Sequence, residues 1–319
     1  MNVLAMDLGG TKLSAGFLND DGNLSKRQLN LVSNKKGKEV GMVISSKIIT
    51  MLDIAEKENL EVDAIGICVP GIVNAKTMRV WAPNIPGWED YPLLDEIKVV
   101  LGNHRIPVVI DNDRACYLTG ELWKGAAIGC HDAIFLAIGT GIGAGIISNN
   151  NIIRGNNDIA GSIGWMGIKE TFDDKYRKSG CFEYYASGEG LVNLTKEIIA
   201  VESSYNGELK GVQFNARDIF QAYERKDQVA LIVIKKAISF WGIATANLIS
   251  IFNPEKIIFG GGVFGPGSTF LNEIENEARK WAQPISMTHV HIVSAQLGND
   301  AGLFGAGFLA TKFGKSSQA

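Results

Sequence analysis

Apolar residues open the chain as two short runs separated by a polar turn. Val3 to Met6 leads into Asp7-Leu8, Leu13 to Leu18 forms the second run, and Gly9-Gly10-Thr11-Lys12 lies between them. That pattern predicts a β-hairpin with a glycine turn. Asn19-Asp20-Asp21-Gly22 is a turn signal, and Asn23 to Val32 reads as a third strand. The spacing then changes. Val40, Val43, Ile44, Ile48, Met51, Leu52, Ile54 and Ala55 recur on one helical face, which predicts a helix over Lys38–Glu58. Further on, the pattern predicts a buried strand over Ala64–Val69, a short helix over Leu93–Leu101 and a strand over Pro107–Ile110. A helix from Asp113 to Lys124 follows.

Ile134 to Ile147 repeats the opening design: an apolar run, Gly139-Thr140-Gly141-Ile142-Gly143-Ala144-Gly145, then Ile-Ile. The later elements are helices at Gly188–Ala200, Ala216–Glu224, Gln228–Phe252 and Ser268–Trp281, and a strand at Lys256–Phe259 that runs into Gly260-Gly261-Gly262. A strand at His289–Val293, a helix at Asp300–Phe313 and a disordered tail at Lys315–Ala319 complete the prediction. The run from Val229 to Phe252 is the most apolar long stretch, but it holds Lys235, Lys236 and Asn247, so it reads as a buried helix and not a membrane span.

Composition narrows the class. A chain of 319 residues with 46% apolar and 20% charged content suits a globular protein with room for two domains. The net charge of −3 offers no basic surplus for nucleic acid or an anionic membrane. Its four cysteines, Cys68, Cys116, Cys130 and Cys181, are scattered, as expected of reduced thiols in the cytoplasm. No basic segment and apolar core of a secretion signal precede the first strand.

The two hairpin turns carry groups suited to a phosphate chain. Glycines without Cβ let backbone N–H groups approach an anion, Thr11 adds a hydroxyl and Lys12 a charge. Asp7 at a strand end suits Mg²⁺ held through water, because hard cations prefer oxygen. A tight turn with no ligand is the plain alternative for either hairpin alone. Other signals fail. Gly314-Lys315-Ser316 resembles the end of a P-loop, but Leu309 stands where its first glycine belongs. The glycines at 139–145 lack dinucleotide-fold spacing and feed a strand. His289 and His291 alternate on one predicted strand without a third ligand.

Taken together, D-L-G-G-T-K at 7–12, V-P-G at 69–71, A-P-N-I-P-G-W at 82–88, D-N-D at 111–113, G-T-G-I-G-A-G at 139–145, A-G-S-I-G at 160–164, G-C-F-E at 180–183 and F-G-G-G-V at 259–263 form an ordered set across nearly the whole chain. In that order they resemble the ROK family of bacterial sugar kinases and sugar-responsive repressors. The resemblance implies an α/β, actin/hexokinase-like (ribonuclease H-like) ATPase fold with two domains around a cleft. The smaller domain would be 1–115 plus 300–319 and the larger 116–299. Family repressors carry a DNA-binding extension ahead of the first phosphate turn, and only six residues precede Asp7 here, so the expectation is the kinase branch.

The implied activity is ATP- and Mg²⁺-dependent phosphorylation of a hydroxyl on a hexose or hexose-derived sugar. Asp113 would be the general base and Asn112 would fix neighbouring hydroxyls. Gly9, Gly10, Thr11 and Lys12 would face one part of the phosphate chain and Thr140 and Gly141 another, while Gly260, Gly261 and Gly262 would let adenosine lie on the backbone. Gly71, Asn84, Ser162, Trp165 and Glu183 would line the sugar. Asn84 could equally support its own turn, Asp113 could be no more than a helix cap, and Glu183 could be a loop-supporting acid. A homodimer in the cytoplasm is the family default, with no nucleic-acid or membrane partner.

Departures from the family pattern are concentrated in one region. Where the family has A-G-E-x-G-H, with a sugar-binding Glu and a His that meets sugar and a structural zinc, this chain has Ser162 and Trp165. Asp174 and Tyr176 replace two zinc-loop cysteines, leaving Cys181 alone, so no zinc is expected. Packing by Phe172, Tyr176, Phe182 and Tyr184 would hold the loop, and its charged run, Lys169 to Lys178, would be a solvated face or a lid. Trp165 would stack on a sugar or fill the space the zinc site left. These changes suit an altered hexose, an amino or N-acetyl sugar, or a glycoside with a bulky C1 substituent. A non-catalytic sugar sensor that kept the fold is the alternative reading.

Overall fold

The computed structural model describes the backbone of residues 1–318, with side chains through Lys315. Its contacts divide the chain into two compact units. One comprises Met1–Ile128, Arg154–Ala160 and the segment from Asn299 onward; the other comprises Gly129–Ile153 and Gly161–Gly298.

In the first unit, β1 (Asn2–Leu8), β2 (Lys12–Asn19) and β3 (Leu24–Leu31) form an antiparallel meander, followed by α1 (Lys38–Lys57) and β4 (Ala64–Val69). A small hairpin of β5 (Ile72–Val73) and β6 (Val80–Trp81) precedes α2 (Leu93–Leu101), β7 (Val108–Asn112) and α3 (Asp113–Lys124). The sheet order is β3-β2-β1-β4-β7, with β1, β4 and β7 parallel. β4 is apolar throughout and buried along its length, as a central parallel strand requires. One face is covered by α1, whose Val40, Ile44, Ile48, Met51 and Ala55 are all buried. The register sets Asp7 opposite Cys68 and Cys68 opposite Asp111. One row across the sheet therefore carries two acids near the carboxyl ends of the parallel strands, the end at which open α/β sheets place their ligands.

The second unit repeats the plan. β8 (Ala133–Ile138), β9 (Ile142–Ser148) and β10 (Asn151–Ile152) form the meander, then come α4 (Cys181–Ala186), α5 (Gly188–Val201), α6 (Ala216–Glu224) and α7 (Gln228–Phe252). After them are β11 (Lys256–Gly260), α8 (Leu271–Ala278), α9 (Pro284–Met287) and β12 (His291–Ser294). The order is β10-β9-β8-β11-β12, with β8, β11 and β12 parallel. By length and composition α7 is long and apolar enough to cross a membrane, but 56% of its apolar window is buried inside the protein. Val229, Val233, Ala237, Trp241, Ala244 and Leu248 form its buried stripe, and Trp241 donates through Nε1 to the Ala186 carbonyl at 2.9 Å. Asp227 caps its start and left-handed Asn253 its end.

The final helix, α10 (Ala301–Gln318), returns to the first unit. Its glycines allow backbone-to-backbone approach: a Cβ on Gly305 would stand 1.8 Å from the Cys116 carbonyl oxygen of α3, and one on Gly66 of β4 would stand 2.0 Å from that of Ala306.

Several expectations change. The division falls after Ile128 and not at 115/116, because α3 packs on α10 within the first unit. The helix expected over Ser268–Trp281 is a 3₁₀ turn, Pro266–Phe270, followed by α8. His289 precedes β12 and does not share a strand with His291. The expected tail at 315–319 is helical to Gln318, and Ala319 lies outside the described residues.

Candidate active site

In the first unit the turn between β1 and β2 closes with Gly9 N donating to the Lys12 carbonyl at 2.9 Å. Gly10, Thr11 and Lys12 are exposed, and the space where a Gly10 Cβ would stand is open. A cavity of about 210 Å³ brings Gly9 and Gly10 together with Asn84, Lys35 and Lys36. The two lysines add positive charge that the sequence reading did not single out.

Three acids stand at the same end of the sheet. Burial pushes Asp7 up to about 6; the charge of Asp113 pushes the same way, against a hydrogen bond with Cys68. Burial likewise pushes Asp113 up to about 6, opposed by the Arg114 charge and backbone N–H groups. Asp113 is not the helix cap. Asn112 holds that position, its Oδ1 accepting from Ala115 N at 3.0 Å while its Nδ2 donates to Asp111 Oδ1 at 3.3 Å. The Asn112 amide is thus buried and largely committed to local structure, which leaves one amide hydrogen for any acceptor. Asp111, 4% exposed, is gripped by Arg154, whose guanidinium donates at 2.9 and 2.5 Å to its two oxygens. Gly71 adopts φ +91°, where a Cβ would meet the Trp81 carbonyl oxygen at 2.1 Å, and its own carbonyl accepts from Arg114.

In the second unit the turn between β8 and β9 is tighter, with Gly139 N donating to the Gly141 carbonyl at 2.9 Å. The Gly139 carbonyl accepts from Gly188 N at 2.7 Å, which fixes the first turn of α5 against it. A cavity of about 540 Å³ joins Gly139, Thr140 and Gly262 to Gly188, Glu189, Asn193 and Lys196 of α5. The positive end of α5 and a glycine turn on one cavity suit a phosphate-bearing ligand. Of the three glycines at 260–262, only Gly262 faces that cavity. A Cβ on Gly260 would meet the Phe135 ring at 2.3 Å, and one on Gly261, at φ +91°, the Ile138 carbonyl oxygen at 2.5 Å. At those two positions glycine is required by close packing.

Ser162 precedes the short 3₁₀ turn Ile163–Trp165, and the Trp165 side chain is 58% exposed. Glu183 of α4 accepts from Ile142 N at 2.6 Å; burial pushes its carboxyl up and the Ile142 N–H draws it back. Of the former zinc-loop positions, Asp174 pairs with Arg177, Tyr176 shares a 3.0 Å hydrogen bond with Tyr185, and Cys181 is buried. Phe172, Tyr176, Tyr184 and Tyr185 form an edge-to-face cluster with Lys175 over three of the rings. Phe182 is fully buried beside it. Among the described residues no three His, Cys, Asp or Glu side chains gather as a metal-holding group.

The sequence profile of the ROK family matches residues 3–313. The chain belongs to the ROK family. It is 33% identical to a glucokinase of Halalkalibacterium halodurans over 96% of this chain and 94% of that one. It is similar to the crystal structure of a ROK glucokinase from Streptomyces griseus in complex with glucose and AMPPNP, with 30% identity, TM-score 0.73 and coverage of 98% and 100%. The ROK hexokinase from Thermus thermophilus superposes with TM-score 0.79 at 25% identity, over 99% and 100% of the two chains. The repeated sheets are those of the actin/hexokinase-like fold.

For this ROK protein, sequence reasoning missed Arg154, Tyr185, Lys35, Lys36 and the α5 residues of the larger cavity. Only the Lys35-Lys36 pair just before Gly37 left a local signal. The others act through partners distant in the chain.

Proposed function

We propose that this ROK protein is an ATP-dependent sugar kinase that transfers a phosphoryl group to a hydroxyl of a hexose or hexose-derived sugar. The observation that carries the reading is Asp113. It opens α3 while Asn112 does the capping, and its carboxyl is pushed up to about 6. A carboxylate so tuned orients a sugar hydroxyl and takes its proton near neutral pH. Gly9, Gly10, Thr11 and Lys12 hold one part of the phosphate chain; Thr140, Gly141 and Gly262 hold another, with adenosine in the α5 cavity. Gly71, Asn84, Asn112 and Glu183 position the sugar.

The first unit's residues suit Mg²⁺: two half-buried carboxylates with raised pKa values form an all-oxygen set in which a cation relieves their mutual repulsion. When bound, the ion neutralises charge on the phosphates. Asp7 would hold it, and Asp113 would keep its oxygen for the acceptor. The four free, buried cysteines favour a reducing compartment, the cytoplasm. A homodimer rests on family resemblance.

Ser162 and the exposed Trp165 favour an acceptor other than plain glucose: an altered hexose, an N-acetyl sugar or a glycoside with a bulky C1 group stacked on the indole. A coupled ADP-release assay with Mg-ATP tests this. The panel is glucose, mannose, fructose, allose, N-acetylmannosamine, N-acetylglucosamine and β-glucosides, with Asp113→Asn as control. Sugar-dependent turnover abolished in the variant is the expected result. Sugar binding without turnover on any member would favour a non-catalytic sensor.

A further inference from the structure

Glu183 is the point where the second unit's glycine turn meets the segment that follows it by some forty residues. Its Oε2 accepts from Ile142 N at 2.6 Å, the residue that ends the Gly139-Thr140-Gly141 turn. Two glycines make room for that carboxylate. A Cβ on Gly141 would stand 2.7 Å from Oε2, and a Cβ on Gly164 would stand 3.0 Å from both Oε2 and the Glu183 Cβ. The carboxylate is half-buried and bonds to a backbone donor, with no cation among its hydrogen-bond or ion-pair partners in the described residues. A buried charge so placed is retained at a desolvation cost, which its hydrogen bond offsets.

We infer that Glu183 is a positioning residue for the nucleotide turn, holding Gly139-Thr140-Gly141 in its binding conformation through the Ile142 N–H. This deepens the kinase reading and rests on it. It differs from a role at the sugar alone, because the contact exists without any acceptor. Its consequence is that nucleotide affinity depends on Glu183 before sugar arrives. The amide of Gln at this position still offers an oxygen to Ile142 N; Ala offers nothing. Gly164→Ala crowds the carboxylate from the opposite side, its Cβ standing also 3.0 Å from the Ile142 carbonyl oxygen, so its effect is read beside that of E183A.

The test is calorimetric titration of the full-length protein with Mg-AMPPNP, in the absence of sugar, for the wild type, E183Q, E183A and G164A. Hydrogen exchange of the 139–145 segment is followed in the same proteins. The expected result is AMPPNP affinity weakened about tenfold or more in E183A and G164A. E183Q stays within about threefold of wild type, and exchange of the turn accelerates only in the weakened variants. Binding of AMPPNP by folded E183A or folded G164A within about twofold of wild type would overturn the inference while leaving the kinase reading intact. If E183A fails to fold, G164A and E183Q decide it. No AMPPNP binding by the wild type would sink the kinase reading, and the inference with it.

Discussion

The two units build the same sheet, three antiparallel strands followed by two parallel ones, and finish it with different chemistry. At the end of the first unit's sheet stand Asp7, Asp111 and Asp113; the charges of Asp7 and Asp113 repel, and Arg154 neutralises Asp111. The corresponding end of the second unit carries Ile138 before its turn and a helix N-terminus beside it. Of the carboxylates there, Glu183 is bound to a backbone N–H, and Glu189 of α5 lines the cavity beside the turn. One unit thus concentrates negative charge that a cation and a reacting hydroxyl can use. The other presents backbone donors that an anion can use. The lesson is that the scaffold supplies only the position of the strand ends; the residues placed there decide which partner each end accepts.

The sharpest way to break this comparison is to remove charge from the first unit. Asp113→Asn should lower kcat by roughly 10²–10⁴-fold with little change in KM for ATP. It should also stabilise the fold at pH 7 by roughly 1–2 kcal/mol, read from urea denaturation, because a half-buried charge is lost. A variant that kept its rate would remove Asp113 from the chemistry. Trp241→Ala should cost about 3–5 kcal/mol through a cavity in the second unit's core, and Gly305→Ala about 1–3 kcal/mol by forcing α10 away from α3 in the first. If the units unfold separately, each variant should move its own transition.

The pH profile sharpens the same contrast. The acid limb of kcat/KM should have an apparent pKa near 6, belonging to the Asp7–Asp113 pair, with activity lost as pH falls through it. For stability the sign is opposite to that of a salt-bridged acid. Both folded pKa values lie above the ordinary carboxylate value of 3.8, so these two groups make the fold less stable as pH rises from about 4 through 6. An acid limb near pH 4 would contradict the raised values. The smallest effect belongs to the second unit's aromatic loop. Tyr176→Phe should cost about 1 kcal/mol for the hydrogen bond to Tyr185, and a zinc chelator in excess Mg²⁺ should leave the melting temperature unchanged. A chelator-induced drop would restore a metal to this loop.

Much of this was readable from local pattern. The bounds of β4, α2, α6 and α7 follow directly from apolar spacing and turn residues, because those signals lie within the element itself. Both glycine turns and Asp113 at a helix start were legible for the same reason. The helix over 268–281 was misread at its start, where Gly265-Pro266-Gly267 holds a 3₁₀ turn ahead of the α-helix.

What the sequence determined by itself is the repeated hairpin plan, the helix faces and the family to which their motifs belong. Tertiary structure alone decided how residues far apart in the chain divide the work. Arg154 reaches Asp111 across 43 positions and Glu183 reaches Ile142 across 41, and no local pattern encodes either pairing. Likewise, Gly260, Gly261 and Gly262 read identically in the sequence. A phenylalanine ring, a carbonyl oxygen and open space separate their roles, since what a glycine permits depends on what packs against it.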